Sequence, residues 1–398
     1  MEVKPGYKQT EVGVIPKDWE VASIGSLASF RSGEGISIAA LAEESPATPI
    51  PVYGGNGIAG YTNRALVRES VVVVGRVGQN CGEVYFTGGP AWITDNALYP
   101  RFLLRRVDLR FLTLALQSAG LNTVKNRNDL PLVTQSILHA VRIPLPPTKA
   151  EEEAIAAALS DADALVEFLE QRIAKKRQFK QGAMQELLLG KKRLPGFRGK
   201  WRTCQIGEVI NDCSSGATPY RGRPDYYRGT IKWITSGELN FNVITDSIEH
   251  ISEEAVKKTH LRMHPAGTFL MAITGLEAAG TRGACGIVGS PATTNQSCMA
   301  IYPSAGLTTA FLYHYYVLRG NDLALRYCQG TKQQSYTAKL VGLLPIDLPP
   351  TVEEQTAIAT IFSDMDAEIT ALEAQRVKTR ALRQGIMQDL LTGRIRLV

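Results

Sequence analysis

At 398 residues, 44% hydrophobic and 21% charged, the chain exceeds one ordinary core, and two or three domains are expected. A net charge of +6 and a pI near 8.9 permit contact with nucleic acid without requiring it. No apolar run is long enough to cross a bilayer. The opening MEVKPGYKQTEVG has no secretory core, and none of the six cysteines forms a CxxC pair, so a cytoplasmic chain with free buried thiols is expected.

In chain order, residues 1–144 come first, rich in β-branched residues, glycine and short turns. The stretch IPVYGGNGIAGYTN (50–63) carries G-x-G-x-x-G at Gly55, Gly57 and Gly60. A dinucleotide fingerprint needs a helix opening on that loop and an acid about 20 residues on. Tyr61-Thr62-Asn63-Arg64 has no helical pattern, so a tight turn presenting Asn56 is predicted instead. VVVVGRVGQNCGEVYF (71–86) reads as strand, glycine turn, strand.

A long helix is predicted in 145–195. Its start, LPPTKAEEEAIA, pairs two prolines with T-x-x-E (Thr148, Glu151), the pattern of a capping box, and Gly190 suits a C-terminal cap. Residues 196–347 return to strand-like sequence, with GTFLMAITGLEAAGTRGACGIVG (267–289) a second strand–loop–strand. His260 and His264 are followed at once by Pro265, which favours a turn or surface pair over a metal site. Residues 348–398 then repeat the helix: LPPTVEEQTAIA, Thr351 with Glu354, and Gly393 at the end.

At a fixed offset of 203, 25 of the 50 positions from Leu145 to Leu194 recur without a gap. The apolar seam reads Ile155, Leu159, Ala162, Val166, Leu169, Ile173 in one copy, and Ile358, Phe362, Met365, Ile369, Leu372 in the other, with the alternating spacing of a coiled coil. It resumes out of phase at Phe179, Met184, Leu187 and at Leu382, Met387, Leu390. Residues 148–170 hold seven acids and one base, and 171–194 hold eight bases and one acid. Residues 351–373 hold six acids and no base, and 374–398 six bases and one acid. Only antiparallel pairing sets each acidic half beside a basic one. The expected fold is therefore α+β: two globular mixed domains separated by two long helices in an antiparallel coiled coil, with pseudo-twofold symmetry, the helices a bar of fixed length.

The two globular segments begin alike (Trp19…Ile24-Gly25, Trp201…Ile206-Gly207) and end alike (Thr134…Ile143, Thr337…Ile346), but their middles do not align. This layout, the LPPT starts and the endings MQELLLGKKRL and MQDLLTGRIRL resemble the specificity subunits of type I restriction–modification systems. IPVYGGNGIAGYTN and VGRVGQNCGEVYF are similar to a first target-recognition domain. GATPYRGRPDYYRGTIKWITSGELN (216–240), TRGACGIVG (281–289) and TTNQSCMAIYP (293–303) are similar to a second. One departure from the family pattern is Glu151-Glu152 where the second copy has Glu354-Gln355. The resemblance implies domains at 1–144 and 196–347, each reading one half of a split double-stranded DNA sequence, and spacer helices at 145–195 and 348–398. It implies docking of two methyltransferase (modification) subunits, addition of motor-nuclease (restriction) subunits, and no catalysis, cofactor or metal in this chain.

Side chains able to reach base edges or phosphates from glycine-rich or polar loops are candidate contacts. In the first domain these are Arg76, Gln79, Asn80, Lys125 and Arg127; in the second, Arg221, Arg223, Arg282, Lys332, Gln333 and Gln334. Asn295-Gln296 is assigned to satisfying backbone. No phosphate-loop lysine, methyltransferase N/D-P-P-Y/F, nuclease Asp/Glu-x-Lys or Ser-His-Asp cue supports an enzyme. A coiled-coil scaffold whose end domains bind proteins is the alternative.

Overall fold

The computed structural model describes residues 4–124, 131–330 and 334–397. The chain divides into two compact units. One takes residues up to Glu170 together with those from Ala374 onward; the other takes Gln171–Glu373. Each unit thus holds one β-rich segment and half of each long helix.

The helices run Lys149–Leu187 and Val352–Leu391, 39 and 40 residues. Each starts as its sequence prescribes: Thr148 Oγ1 accepts the Glu151 N–H, and Thr351 Oγ1 that of Glu354, both at 3.3 Å. The carboxylate half of the expected capping box is replaced. Both oxygens of Glu151 are taken by Arg396 at 2.7 Å, and both of Glu354 by Arg193 at 2.7 and 2.6 Å. The two glutamates are buried, and a bidentate guanidinium neutralises a buried charge where a single N–H does not.

Those pairs set the end of one helix beside the start of the other, within one unit each time. The rest of the seam agrees. Lys180 meets Asp366 at 2.5 Å in one unit, and Arg383 meets Asp163 at 2.9 Å in the other. Arg177 meets Glu373 at 2.5 Å, and Arg380 meets Glu170. Each of these pairs is the other shifted by 203 residues. The antiparallel arrangement inferred from charge is therefore present in both units, and the two are built on one plan.

Ile155, Leu159, Leu169, Ile173, Ile358, Phe362, Ile369 and Leu372 are buried as the heptads predict. Met184, Leu187, Met387 and Leu390 are buried too, but Phe179 and Leu382 are 65% and 60% exposed, contrary to expectation. Lys180 and Arg383 hold the neighbouring position instead. Their side chains are largely buried while their charges meet an aspartate. After the helices, Gly190 and Gly393 take left-handed φ of +64° and +67°. A Cβ there would come within 2.9 Å of the Trp201 ring and 3.2 Å of the Trp19 ring. This is the packing behind the tryptophan shared by the two segments.

The β-rich segments, unalignable in sequence, share a topology. In the first unit an antiparallel sheet runs in spatial order Ala28–Ser32, Ala97–Leu103, Val72–Gly75, Val84–Phe86. In the second the order is Ile210–Ser215, Cys298–Pro303, Phe269–Ala272, Cys285–Val288, with Asn242–Ile244 added in parallel at the edge. Beside each lies a smaller sheet: Gly57–Thr62, Ile50–Gly54, Trp92–Ile93 in one, and Glu249–Ile251, Ile231–Ile234, Thr293–Thr294 in the other. Both small sheets pair antiparallel on one side and parallel on the other. Val72, Val73 and Val74 are wholly buried, as befits a central strand covered on both faces.

A helix packs on each larger sheet, Leu109–Ser118 and Thr309–Tyr327. Their N-caps, Asp108 and Thr308, accept the N–H of Phe111 and Phe311, and their own N–H groups are held by the long helices. Glu152 accepts from Asp108 at 2.6 Å; Gln355 accepts from Thr308 at 2.9 Å and donates to Gly306 O at 2.9 Å. The Glu-for-Gln departure thus lies at a junction between long helix and β-rich segment.

Candidate nucleic-acid interface

Residues 55–56 form a two-residue hairpin turn, Gly54 facing Gly57 in register, and exposed Asn56 occupies its tip. No helix follows, so the glycines serve a turn as predicted. The turn packs on the next loop. A Cβ on Gly55 would lie 2.5 Å from Val77 O, and one on Gly75 would lie 2.3 Å from Gly55 O. The two loops therefore approach backbone to backbone, which only glycine allows.

Arg76, Gln79 and Asn80 lie in this second loop. Its far side is pinned by chain returning at Pro131–Val133: Gly78 N–H donates to Pro131 O and Val133 N–H to Arg76 O. Lys125 and Arg127 lie outside the described residues, in the stretch just before that return. Gln79 and Asn80 are exposed, whereas Arg76 is half-buried and donates to Ser32 Oγ at 2.9 Å.

The second unit repeats the device. After Ala272, the loop 273–283 is pinned by 334–336: Leu276 N–H donates to Gln334 O and Tyr336 N–H to Ile273 O. Lys332 and Gln333 lie outside the described residues, again just before the return. Arg282 folds onto its own loop, donating to the carbonyls of Leu276 and Glu277 at 2.8 Å each. Gln334 donates its N–H to Glu277 at 3.0 Å. Each unit thus brings its described loop candidates together, Arg76, Gln79 and Asn80 in one and Arg282 and Gln334 in the other.

Arg221 and Arg223 stand elsewhere, in the excursion after Ile210–Ser215. Arg221 makes a bidentate pair with Glu249 at 2.5 and 2.8 Å and lies over the Tyr227 and Trp233 rings. Arg223 pairs with Asp225 at 2.8 and 2.6 Å over the Tyr226 ring. Both guanidiniums hold this loop's shape, so a contact by either to DNA would compete with a carboxylate already in place.

Gln296, assigned to backbone by sequence, is exposed, and its side-chain oxygen accepts from Thr218. Asn295 does serve the backbone, accepting from Ser297 N at 3.0 Å. Arg64 is a further exposed cation, 4.9 Å above the Trp92 ring. Its place beside an indole from another strand gave no sequence signal.

Other candidates for chemistry resolve into structure. His264 is buried, with Nδ1 2.5 Å from the Tyr302 hydroxyl and Nε2 3.2 Å from that of Thr294; burial first, then Arg262, pulls its pKa down to about 4. It is a neutral core histidine, where a turn or surface residue was expected; His260 caps a helix in the left-handed region at φ 53°. Burial pushes the Cys285 and Cys298 thiols up, away from thiolate reactivity. Among the described residues no cluster of His, Cys, Asp and Glu could hold a metal, and no helix is long and apolar enough to cross a membrane.

Residues 16–175 and 198–379 match the family model described as "Type I restriction modification DNA specificity domain". The "Type I restriction enzyme MjaVIII specificity subunit" of Methanocaldococcus jannaschii is 24% identical over 409 residues, covering 96% of this chain and 94% of that protein. The "Type I restriction enzyme MjaIX specificity subunit" of the same organism is 33% identical over 167 residues, 40% of this chain and 36% of that one. In fold, the chain is similar to a crystal structure of the type I restriction–modification S subunit from M. genitalium, with TM-score 0.68, 17% identity and 98% of both chains covered. Two matched domains spanning most of the sequence, on a fold shared along its whole length, show that the chain belongs to the family of type I restriction–modification specificity subunits.

Proposed function

We propose that this chain is the DNA-recognition subunit of a type I restriction–modification complex and performs no chemistry itself. The observation that carries the reading is duplication with divergence. The same pinned-loop device recurs in both units on unrelated sequence, while the helix ion pairs recur residue for residue. A protein reading two different half-sites needs that division: variable loops, constant spacers. Residues 1–144 and 196–347 are assigned to recognition, 145–195 and 348–398 to spacing and docking.

Double-stranded DNA is the ligand. Gln79 and Asn80 are exposed in the first pinned loop; Lys125, Arg127, Lys332 and Gln333 are proposed as contacts on their sequence alone; Arg76, Arg282 and Gln334 hold those loops, and Arg221 and Arg223 a neighbouring one. The partners are two methyltransferase subunits and, in the full complex, motor-nuclease subunits, acting in the cytoplasm. The length of the helices sets the gap between half-sites. The family assignment favours this reading over a protein-binding scaffold.

The test is an exchange. Replacing residues 196–347 by the matching segment of a relative, then sequencing methylated bases in cells, is expected to change one half of the modified motif and leave the other intact. A swap that alters both halves defeats the modular reading.

A further inference from the structure

In both units the first strand of the larger sheet ends at a glycine pressed onto the parallel rung of the smaller one. A Cβ on Gly33 would lie 2.1 Å from Ile93 O, and one on Gly216 would lie 1.8 Å from Thr294 O, so no side chain fits at either. The next carbonyl accepts an indole N–H: Trp92 Nε1 donates to Glu34 O at 2.9 Å, and Trp233 Nε1 to Ala217 O at 3.0 Å. The indoles come from opposite strands of the parallel pair, since Trp92 faces Val52 and Trp233 faces Thr293. An arginine lies over each ring, Arg64 at 4.9 Å and Arg221 at 5.2 Å. A few residues past each pinned glycine, a large apolar side chain is left in solvent: Ile38, 86% exposed, and Tyr220, 73% exposed.

We propose that each indole-anchored excursion is a DNA-contacting element, and that Ile38 and Tyr220 pack against thymine C5-methyl groups in the half-sites read by their units. This rests on the DNA-recognition reading above and adds to it two residues and the group they read.

A single exposed apolar residue needs no explanation by itself. Recurrence at matching places on unrelated sequence does, and so does the mounting of Tyr220. Its ring lies against Gly222, where a Cβ would be 2.5 Å from it. The preceding residue is held by Tyr227, whose hydroxyl donates to Pro219 O at 2.5 Å, and the following one by the Arg221–Glu249 pair. In the first unit, Ile38 opens a short turn whose Ser37 hydroxyl accepts the Ala39 N–H at 3.3 Å. A side chain held in place before binding loses little freedom on contact.

The surroundings indicate what covers it. Two residues before Tyr220, Thr218 occupies the oxygen of Gln296, leaving that exposed amide its N–H groups to donate. Among the described residues Arg64 has no carboxylate partner. In the second unit the apolar group stands near an amide donor, and in the first the excursion is anchored on an indole that carries a cation; a lone apolar group in so polar a setting is unlike the core of a protein interface. It matches the major-groove edge of an A·T pair, which sets a methyl beside hydrogen-bond acceptors.

The experiment uses the full chain purified with its methyltransferase partner, after the motif has been read by methylation sequencing. Affinity is measured by fluorescence anisotropy on duplexes in which each motif thymine is replaced, one at a time, by uracil. Wild type is expected to lose roughly four-fold for one methyl in each half-site. Tyr220→Ala should bind the normal motif correspondingly more weakly and lose nothing further at the thymine of the second half. Ile38→Ala should do the same in the first half, and Tyr220→Phe should match wild type. Unchanged affinity in both alanine variants, uracil losses that persist in them, or a half-site without thymine overturns the proposal. A wild-type complex that binds no duplex overturns the DNA-recognition reading instead.

Discussion

Glu152 shows how one side chain ties a recognition domain to its spacer. Buried, it accepts the Asp108 N–H, and its pKa is raised by burial, which outweighs the lowering by that hydrogen bond. A raised carboxyl favours the folded state at low pH and loses that contribution as pH climbs from about 4.5 through the folded-state value. Gln355, its counterpart, carries no charge and makes a second bond, to Gly306 O. Glu152→Gln is therefore expected to stabilise the protein by about 1 kcal/mol at pH 7.5. The gain should shrink towards pH 4.5, read as the midpoint of urea unfolding across that range. A constant gain would show that the charge is irrelevant. The sequence displayed the Glu-for-Gln change but gave it no partner, because the partner N–H comes from 44 residues away.

Among elements, the long helices carry ion pairs of two kinds. Arg177–Glu373 is mostly solvated, whereas Arg193 reaches a glutamate whose side chain is buried. Exposed pairs contribute under about 1 kcal/mol, but an unpartnered buried carboxylate costs about 3–5 kcal/mol. Arg193→Ala should therefore destabilise far more than Arg177→Ala, as denaturant unfolding of the two variants would show. Equal losses would mean that Glu354 finds another partner. The direction of pairing was legible because charge is distributed along the whole helix. The phase after the lysines was not. Hydropathy counts Phe179 as core and Lys180 as surface, while the geometry exposes the ring and buries the lysine's stem.

At the scale of the molecule, residues 171–373 form one unbroken stretch that contains a β-rich segment and both helix halves pairing on it. Its core runs from Met184 and Leu188 through Phe269 and Phe311 to Ile358 and Phe362. This stretch expressed alone is expected to fold, melting in one cooperative transition with the Arg193–Glu354 pair intact. Residues 196–347 alone lack both helix halves and should be far less stable. If the longer fragment shows no cooperative transition, the unit is not autonomous.

The 203-residue repeat, the helix starts and the acid-then-base pattern determined by themselves that two long helices pair antiparallel. They are periodic and local, and local regularity is what a sequence displays. The glycine turn at Asn56 was legible for the same reason. The likeness of the two recognition segments was decided only by tertiary structure. The indole that fills the same slot comes from Trp92 in one unit and Trp233 in the other, from opposite strands of a parallel pair. A contact satisfied from either side leaves no fixed position to align. The loop arginines followed the same rule: sequence showed their charge, but only the folded chain set Glu249 against Arg221 and Asp225 against Arg223. Whether a cation is free to meet DNA depends on neighbours in space, and those neighbours are chosen by packing.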